Sequence, residues 1–123
     1  MQYKTKIWVV FVYGGWSLDF TKEFILPFAP FYDLKIQDNK GDDENTIELV
    51  THEYCTTSIY FNANDSTLHV FIRNRWKNPV SDETIDSTIS TFVNTGWERT
   101  DNTNIPDLKG LMQREHERLN RIV

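Results

Sequence analysis

The chain has a single cysteine and two alanines, and each scarcity narrows what it can be. A lone thiol, Cys55, excludes an internal disulfide and a cysteine-rich zinc site, so the chemistry points to the reducing cytoplasm rather than to a disulfide-stapled secreted scaffold. With alanine only at Ala29 and Ala63, the core has to be filled by larger side chains: 14% of the residues are aromatic, within a hydrophobic fraction of 39%. A chain poor in Ala and rich in Asn, Thr, Ile and Asp also points to an AT-rich coding source of the phage or mobile-element kind. No apolar run approaches the ~18 residues of a spanning helix, so no membrane partner is expected. Met1 to Phe11 lacks the order of a signal peptide, because Lys4 and Lys6 lead into a strand-like run without a small-residue cleavage site. Internal repeats and low-complexity linkers are missing too, and 123 residues suffice for one hydrophobic core, so residues 1–123 are expected to form one domain.

A basic excess is also lacking. The net charge is -5, and its acids are concentrated: Asp33, Asp38, Asp42, Asp43, Glu44, Glu48 and Glu53 are opposed locally only by Lys35 and Lys40. A localised acidic field disfavours nonspecific nucleic-acid binding and suits a protein partner with a basic surface; a solvated loop that keeps the chain soluble is the plainer explanation.

What is present reads as alternating strands and helices. Ile7 to Tyr13 is β-branched and aromatic on both faces, as a central strand requires. After Gly14-Gly15, Ser17 or Asp19 can cap a short helix with Phe20, Phe24, Ile25 and Phe28 at helical spacing, ended by Pro27 and Pro30. Leu34 to Gln37 is a short strand, followed by a turn-rich run, Asp38 to Asn45, compatible with a hairpin. Thr46 to Phe61 has no Gly or Pro and predicts a long strand bent near His52 and Glu53. Leu68 to Trp76 returns beside it, and a two-residue turn at Asn64-Asp65 sets Phe61 against Leu68, Ile59 against Val70 and Thr57 against Ile72. Ser81 then caps a helix with Asp82 and Glu83 in its first turn, Val80 placed to staple onto Ile85, and a core stripe of Ile85, Ile89, Phe92 and Val93. Gly96 and Trp97 fit a Schellman ending. Pro106 opens a last helix with a stripe of Leu108, Leu111, Met112, Leu119 and Ile122. The expected class is α+β: a mostly antiparallel sheet with a central N-terminal strand, a long hairpin, and helices on at least one face.

The hairpin register gathers Tyr54 and Tyr60 with His69, Phe71, Arg73 and Arg75 on one face, the face opposite Cys55, Ile59 and Phe61. Rings mixed with guanidiniums can form a protein-binding hot spot, or a platform that stacks bases while arginine reads phosphate. Because burying guanidiniums without partners is costly, this face is expected to stay at least partly open rather than lie beneath the last helix.

Catalytic signals are weak by comparison. Cys55 and His52 are three residues apart on one predicted strand and so should face opposite ways, leaving the cysteine as core filler. His52 and His69 are held about 26 Å apart in this register, too far to share a metal. His116 stands on a charged helix face, the acidic turn lacks the glycine placement and closing glutamate of a calcium loop, and Gly14-Gly15 lacks the third glycine and lysine of a phosphate loop. No cofactor or metal site is expected. The sequence points to a non-enzymatic protein that inhibits or neutralises a partner protein, of the inhibitor, immunity or phage anti-host type. Its candidate binding residues are Tyr54, Tyr60, His69, Phe71, Arg73 and Arg75, with Asp42, Asp43 and Glu44 in the acidic turn. The alternatives are a nucleotide or nucleic-acid binding module using the same face, and a small enzyme whose site assembles only in three dimensions.

Overall fold

The structure is a computed structural model that describes residues 1–122, apart from the side chain of Ile122. β1 (Tyr3–Tyr13) turns directly into β2 (Trp16–Leu26), and the two pair along their whole length from Tyr3↔Leu26 to Tyr13↔Trp16. Gly14-Gly15 is the two-residue turn. Gly14 has φ 57°, while Gly15 is not in the positive region, the pattern of a type II′ turn whose twist matches the strands it joins. The helix expected after this turn is therefore a strand. Its apolar residues also fit period two, in Trp16, Leu18, Phe20, Phe24 and Leu26, and that alternation is interrupted only by Lys22. The cation can stand on an apolar face because partners distant in sequence meet it: Lys22 Nζ donates to both oxygens of Asp38 (2.8 and 3.0 Å) and to the Thr95 carbonyl (2.6 Å).

β3 (Lys35–Gln37) and β4 (Thr46–Glu48) form a separate two-stranded hairpin, so the segment Thr46 to Phe61 is not one bent strand. It breaks at a tight turn in which the His52 N–H donates to the Cys55 carbonyl (2.7 Å) and the Cys55 N–H returns to the His52 carbonyl (3.2 Å). β5 (Cys55–Asn62) and β6 (Thr67–Arg75) then pair with Phe61 against Leu68, Ile59 against Val70 and Thr57 against Ile72, the expected register. Pairing stops at Asn62↔Thr67, so the connection is the four-residue loop 63–66, with Ser66 at φ 55°, and not the expected two-residue turn at Asn64-Asp65.

α1 (Asp82–Asn94) begins at Ser81, whose hydroxyl accepts the Thr84 N–H at 3.2 Å, and ends as the sequence predicts. Gly96 at φ 89° lets the Trp97 N–H reach the Phe92 carbonyl (3.0 Å) and the Gly96 N–H reach that of Val93 (3.1 Å), while the Trp97 ring packs edge-on to Phe92 at 5.1 Å. Ile85 and Phe92 are buried, but Val93 is exposed rather than part of the core stripe. A short edge strand, β7 (Glu98–Arg99), follows, and then α2 (Ile105–Ile122), capped by Asn104 through its bond from the Asp107 N–H. Among the described side chains of α2, only Leu108 and Met112 are fully buried. Leu119 is exposed, and the side chain of Ile122 lies outside the described residues.

The main sheet has the order β5-β6-β1-β2-β7 with β1 at its centre, parallel to β6 and antiparallel to β2. Residues paired across a sheet share a face, so the register divides it cleanly. Ile7, Val9 and Phe11 lie on one face with Leu18, Phe20, Val70 and Ile72, and this face receives everything else. Phe92 of α1 stacks on Phe20 at 4.6 Å and meets Phe11 edge-on at 5.7 Å, while Ile47 and Leu49 bring the small hairpin, and Leu108 and Met112 bring α2, into the same core. Lys109 bonds Asp86 and so ties the helices together. The fold is α+β, with both helices and the small hairpin on one face of a strand-rich sheet. None of the described helices is long and apolar enough to cross a membrane.

Candidate functional site

The opposite face of the sheet is left without a helix. Its rows follow from the pairing: Tyr60, His69, Lys6 and Glu23 in one, Ser58, Phe71, Trp8, Thr21 and Glu98 in the next, then Thr56, Arg73, Val10 and Asp19, and last Tyr54, Arg75, Val12 and Ser17. The six ring and cation residues expected on one face thus do share it. Tyr60, Phe71, Arg73 and Arg75 are exposed, and Tyr54 and His69 half-buried. Sequence reasoning missed what β1 adds to the middle, Lys6 and Trp8, because the parallel β1–β6 pairing joins residues as far apart in the chain as Lys6 and His69 and leaves no local signal.

The surface is built, and its rings are already engaged. Tyr60 stacks on His69 at 5.1 Å with the planes 5° apart, and the His69 Nε2 stands 3.5 Å from the Asp65 carboxylate, close enough for an ion pair but without hydrogen-bond geometry. Desolvation acts to raise the Asp65 carboxyl, but the Thr67 N–H and His69 outweigh it and hold that group below the usual range. Lys6 Nζ lies 4.5 Å from the Trp8 ring, while Arg75 and Lys77 lie 5.3 and 5.5 Å from that of Tyr54. Lys4 is paired with Glu23 at 3.3 Å, but neither Arg73 nor Arg75 has a carboxylate partner among the described residues. Charge is graded across the face: β6 and β1 present cations, β2 and β7 present Asp19, Glu23 and Glu98. One buried oxygen of Asp19 has no donor among the described residues. α2 comes near only at one end, where Leu111 and Glu115 share a hollow of about 650 Å³ with Tyr54, Arg75 and the Gly14-Gly15 turn.

The acidic turn is elsewhere. Asp42, Asp43 and Glu44 are exposed at the tip of the β3–β4 hairpin, which packs on the helical side of the sheet. Its base is anchored there: Asp38 accepts from Lys22 and from the Trp97 indole N–H (2.9 Å), and Asn45 donates to the Thr95 hydroxyl (3.3 Å). The nine candidate residues therefore form two surfaces of opposite sign on opposite sides of the sheet.

Cys55 and His52 need a correction of geometry. The intervening turn makes them antiparallel partners, so they face the same way and both line a cavity of about 320 Å³ between the small hairpin and the sheet, with Glu48 and Asn74. The thiol is nonetheless poorly suited to nucleophilic attack. Burial pushes it up, the Glu48 charge adds to this, and Sγ points at the Val50 carbonyl, 3.7 Å away. Among the described residues, no three His, Cys, Asp or Glu side chains converge as metal ligands. Compared with family models, curated proteins and solved structures, the chain matches none.

Proposed function

We propose that this protein is a non-enzymatic binder that acts by occupying a partner protein, as an inhibitor, immunity protein or phage anti-host factor does, and that the helix-free sheet face is its principal contact. The carrying observation is Arg73 and Arg75, exposed, bordered by Glu53 but ion-paired with no carboxylate among the described residues, and set among Trp8, Tyr60 and Phe71. Such a face is completed by a partner that supplies acids opposite the guanidiniums and apolar surface over the rings. Base stacking fits less well. One flat side each of Tyr60, Tyr54 and Trp8 is taken up by His69, Arg75 and Lys6, and a polyanion would also meet the acidic β2–β7 side. The acidic turn offers a second surface, suited to a partner's basic patch and to steering it from a distance.

The test is affinity capture from the source cell with wild type and with Arg73→Ala and Tyr60→Ala. A partner should be captured by wild type and weakened by about 1–4 kcal/mol in each variant, with little change in melting temperature, because both side chains are exposed. Nucleic acid in the eluate, shown by its absorbance ratio and lost in Arg73→Ala, would replace this proposal with the nucleic-acid reading.

A further inference from the structure

Strand β5 is an edge of the main sheet, and half of that edge is uncovered. The Arg75 N–H donates to the Tyr54 carbonyl at 2.8 Å, which sets the alternation: Thr56, Ser58, Tyr60 and Asn62 direct their backbone polar groups at β6, and Cys55, Thr57, Ile59 and Phe61 direct theirs outward. The first two outward residues are engaged by the segment before the strand, Cys55 by His52 and the Thr57 N–H by the Thr51 hydroxyl at 3.2 Å. Ile59 and Phe61 have no outward partner among the described residues.

Edge strands are commonly protected by lysine, proline, a bulge or a covering loop. From Cys55 to Asn62 there is no charge, no proline and no glycine. Two consecutive rings flank the free backbone, Tyr60 on the open face and Phe61 on the covered face, 52% and 60% exposed. The edge is therefore uncharged on both sides of its free hydrogen-bonding groups, with a large ring on each.

We propose that this edge pairs antiparallel with β5 of a second copy, about a two-fold axis through Tyr60. In that register Ile59 of each copy lies opposite Phe61 of the other, and both pairs are of the hydrogen-bonded kind, so all four outward N–H groups and carbonyls of Ile59 and Phe61 in the two copies are satisfied. On the covered face a β-branched side chain meets an aromatic ring in each pair, a favourable cross-strand combination. On the open face the two Tyr60 side chains meet at a non-hydrogen-bonded position, with Cα atoms about 4.5 Å apart. Nothing charged is brought against its own copy, which is why a second copy fits this edge better than a charged peptide. The ladder ends where Thr51 already covers Thr57. The contact is short, so the dimer is reversible and concentration-dependent. It rests on the free backbone of Ile59 and Phe61 rather than on what the open face binds, though it shares Tyr60 with that face and would join two such faces into one ten-stranded surface.

Sedimentation velocity from micromolar to near-millimolar protein should show wild type moving from monomer toward dimer, and Phe61→Lys remaining monomeric with an unchanged fold by circular dichroism. Under mild oxidation Tyr60→Cys should give a covalent dimer in high yield, and Phe61→Cys much less, because Phe61 faces Ile59 rather than itself. Wild type that stays monomeric throughout, a mass shift that persists in Phe61→Lys, or equal cross-linking at both positions would each overturn the proposal. So would amides of Ile59 and Phe61 that exchange as fast at high concentration as at low.

Discussion

Two side chains look misplaced in the sequence and are accounted for by their surroundings. Lys22 lies on the core-facing side of β2, where an unpaired ammonium would be costly, yet it joins the Asp38 carboxylate to the carbonyl end of α1 and thereby locks the small hairpin to the helix. Cys55 has the opposite character, a reactive group made inert. Because its thiol is pushed up by burial and then by Glu48, the folded state holds the proton longer than the unfolded chain does. Its contribution to stability is thus complete below the ordinary thiol range and is lost as pH rises through the raised folded value. Alkylation of native protein by iodoacetamide at neutral pH should be about tenfold or more slower than in denaturant, limited by local opening. Equal rates in the two conditions would show that the thiol is accessible and that the cavity beside His52 is a chemical site after all.

At the level of elements, the ending of α1 is the most local and the most legible feature, since Phe92, Gly96 and Trp97 determine it within six residues. Gly96 is at φ 89°, where an L side chain is strained, and a Cβ there would stand 3.4 Å from Lys22 Nζ. Gly96→Ala should therefore destabilise the protein by about 1–2 kcal/mol in urea unfolding, with an unchanged slope against denaturant. A neutral result would mean that the helix end relaxes freely and that the Lys22 network does not depend on it. β2 is the contrary case. Phe20, Phe24 and Phe28 satisfy a helical period as well as a strand period in part, and what decides is the Gly14-Gly15 turn, which returns the chain alongside β1 for eleven pairs.

Over the whole molecule, charge is separated rather than mixed. The sheet presents cations on its open face, and the acidic turn protrudes on the helical side, so a partner approaching in water meets two fields of opposite sign. Replacing Asp42, Asp43 and Glu44 by Asn, Asn and Gln should slow association with a basic partner about 3–10-fold at low salt and flatten its salt dependence, leaving the melting temperature in place because all three are exposed. On-rates measured across a salt series check this. If they are the same for both proteins, the turn has no part in recognition and the sheet face alone remains.

The sequence by itself determined the α+β class, the capped and terminated α1, the long hairpin and its register, because each rests on neighbours in the chain: period-two alternation, a Ser81 cap, a glycine at a helix end, a turn between matched strands. The register in turn placed Tyr54, Tyr60, His69, Phe71, Arg73 and Arg75 on one face. Only the tertiary structure decided that Thr46 to Phe61 divides between two sheets, that both helices cover the same face, and that Trp8 and Lys6 complete the other. Those outcomes depend on contacts across long stretches of chain, Lys22 with Thr95 and Trp8 with Phe71 among them. Local pattern cannot select between two faces when a central strand such as β1 is apolar on both; which face is covered depends on where the helices and the small hairpin find matching apolar surface.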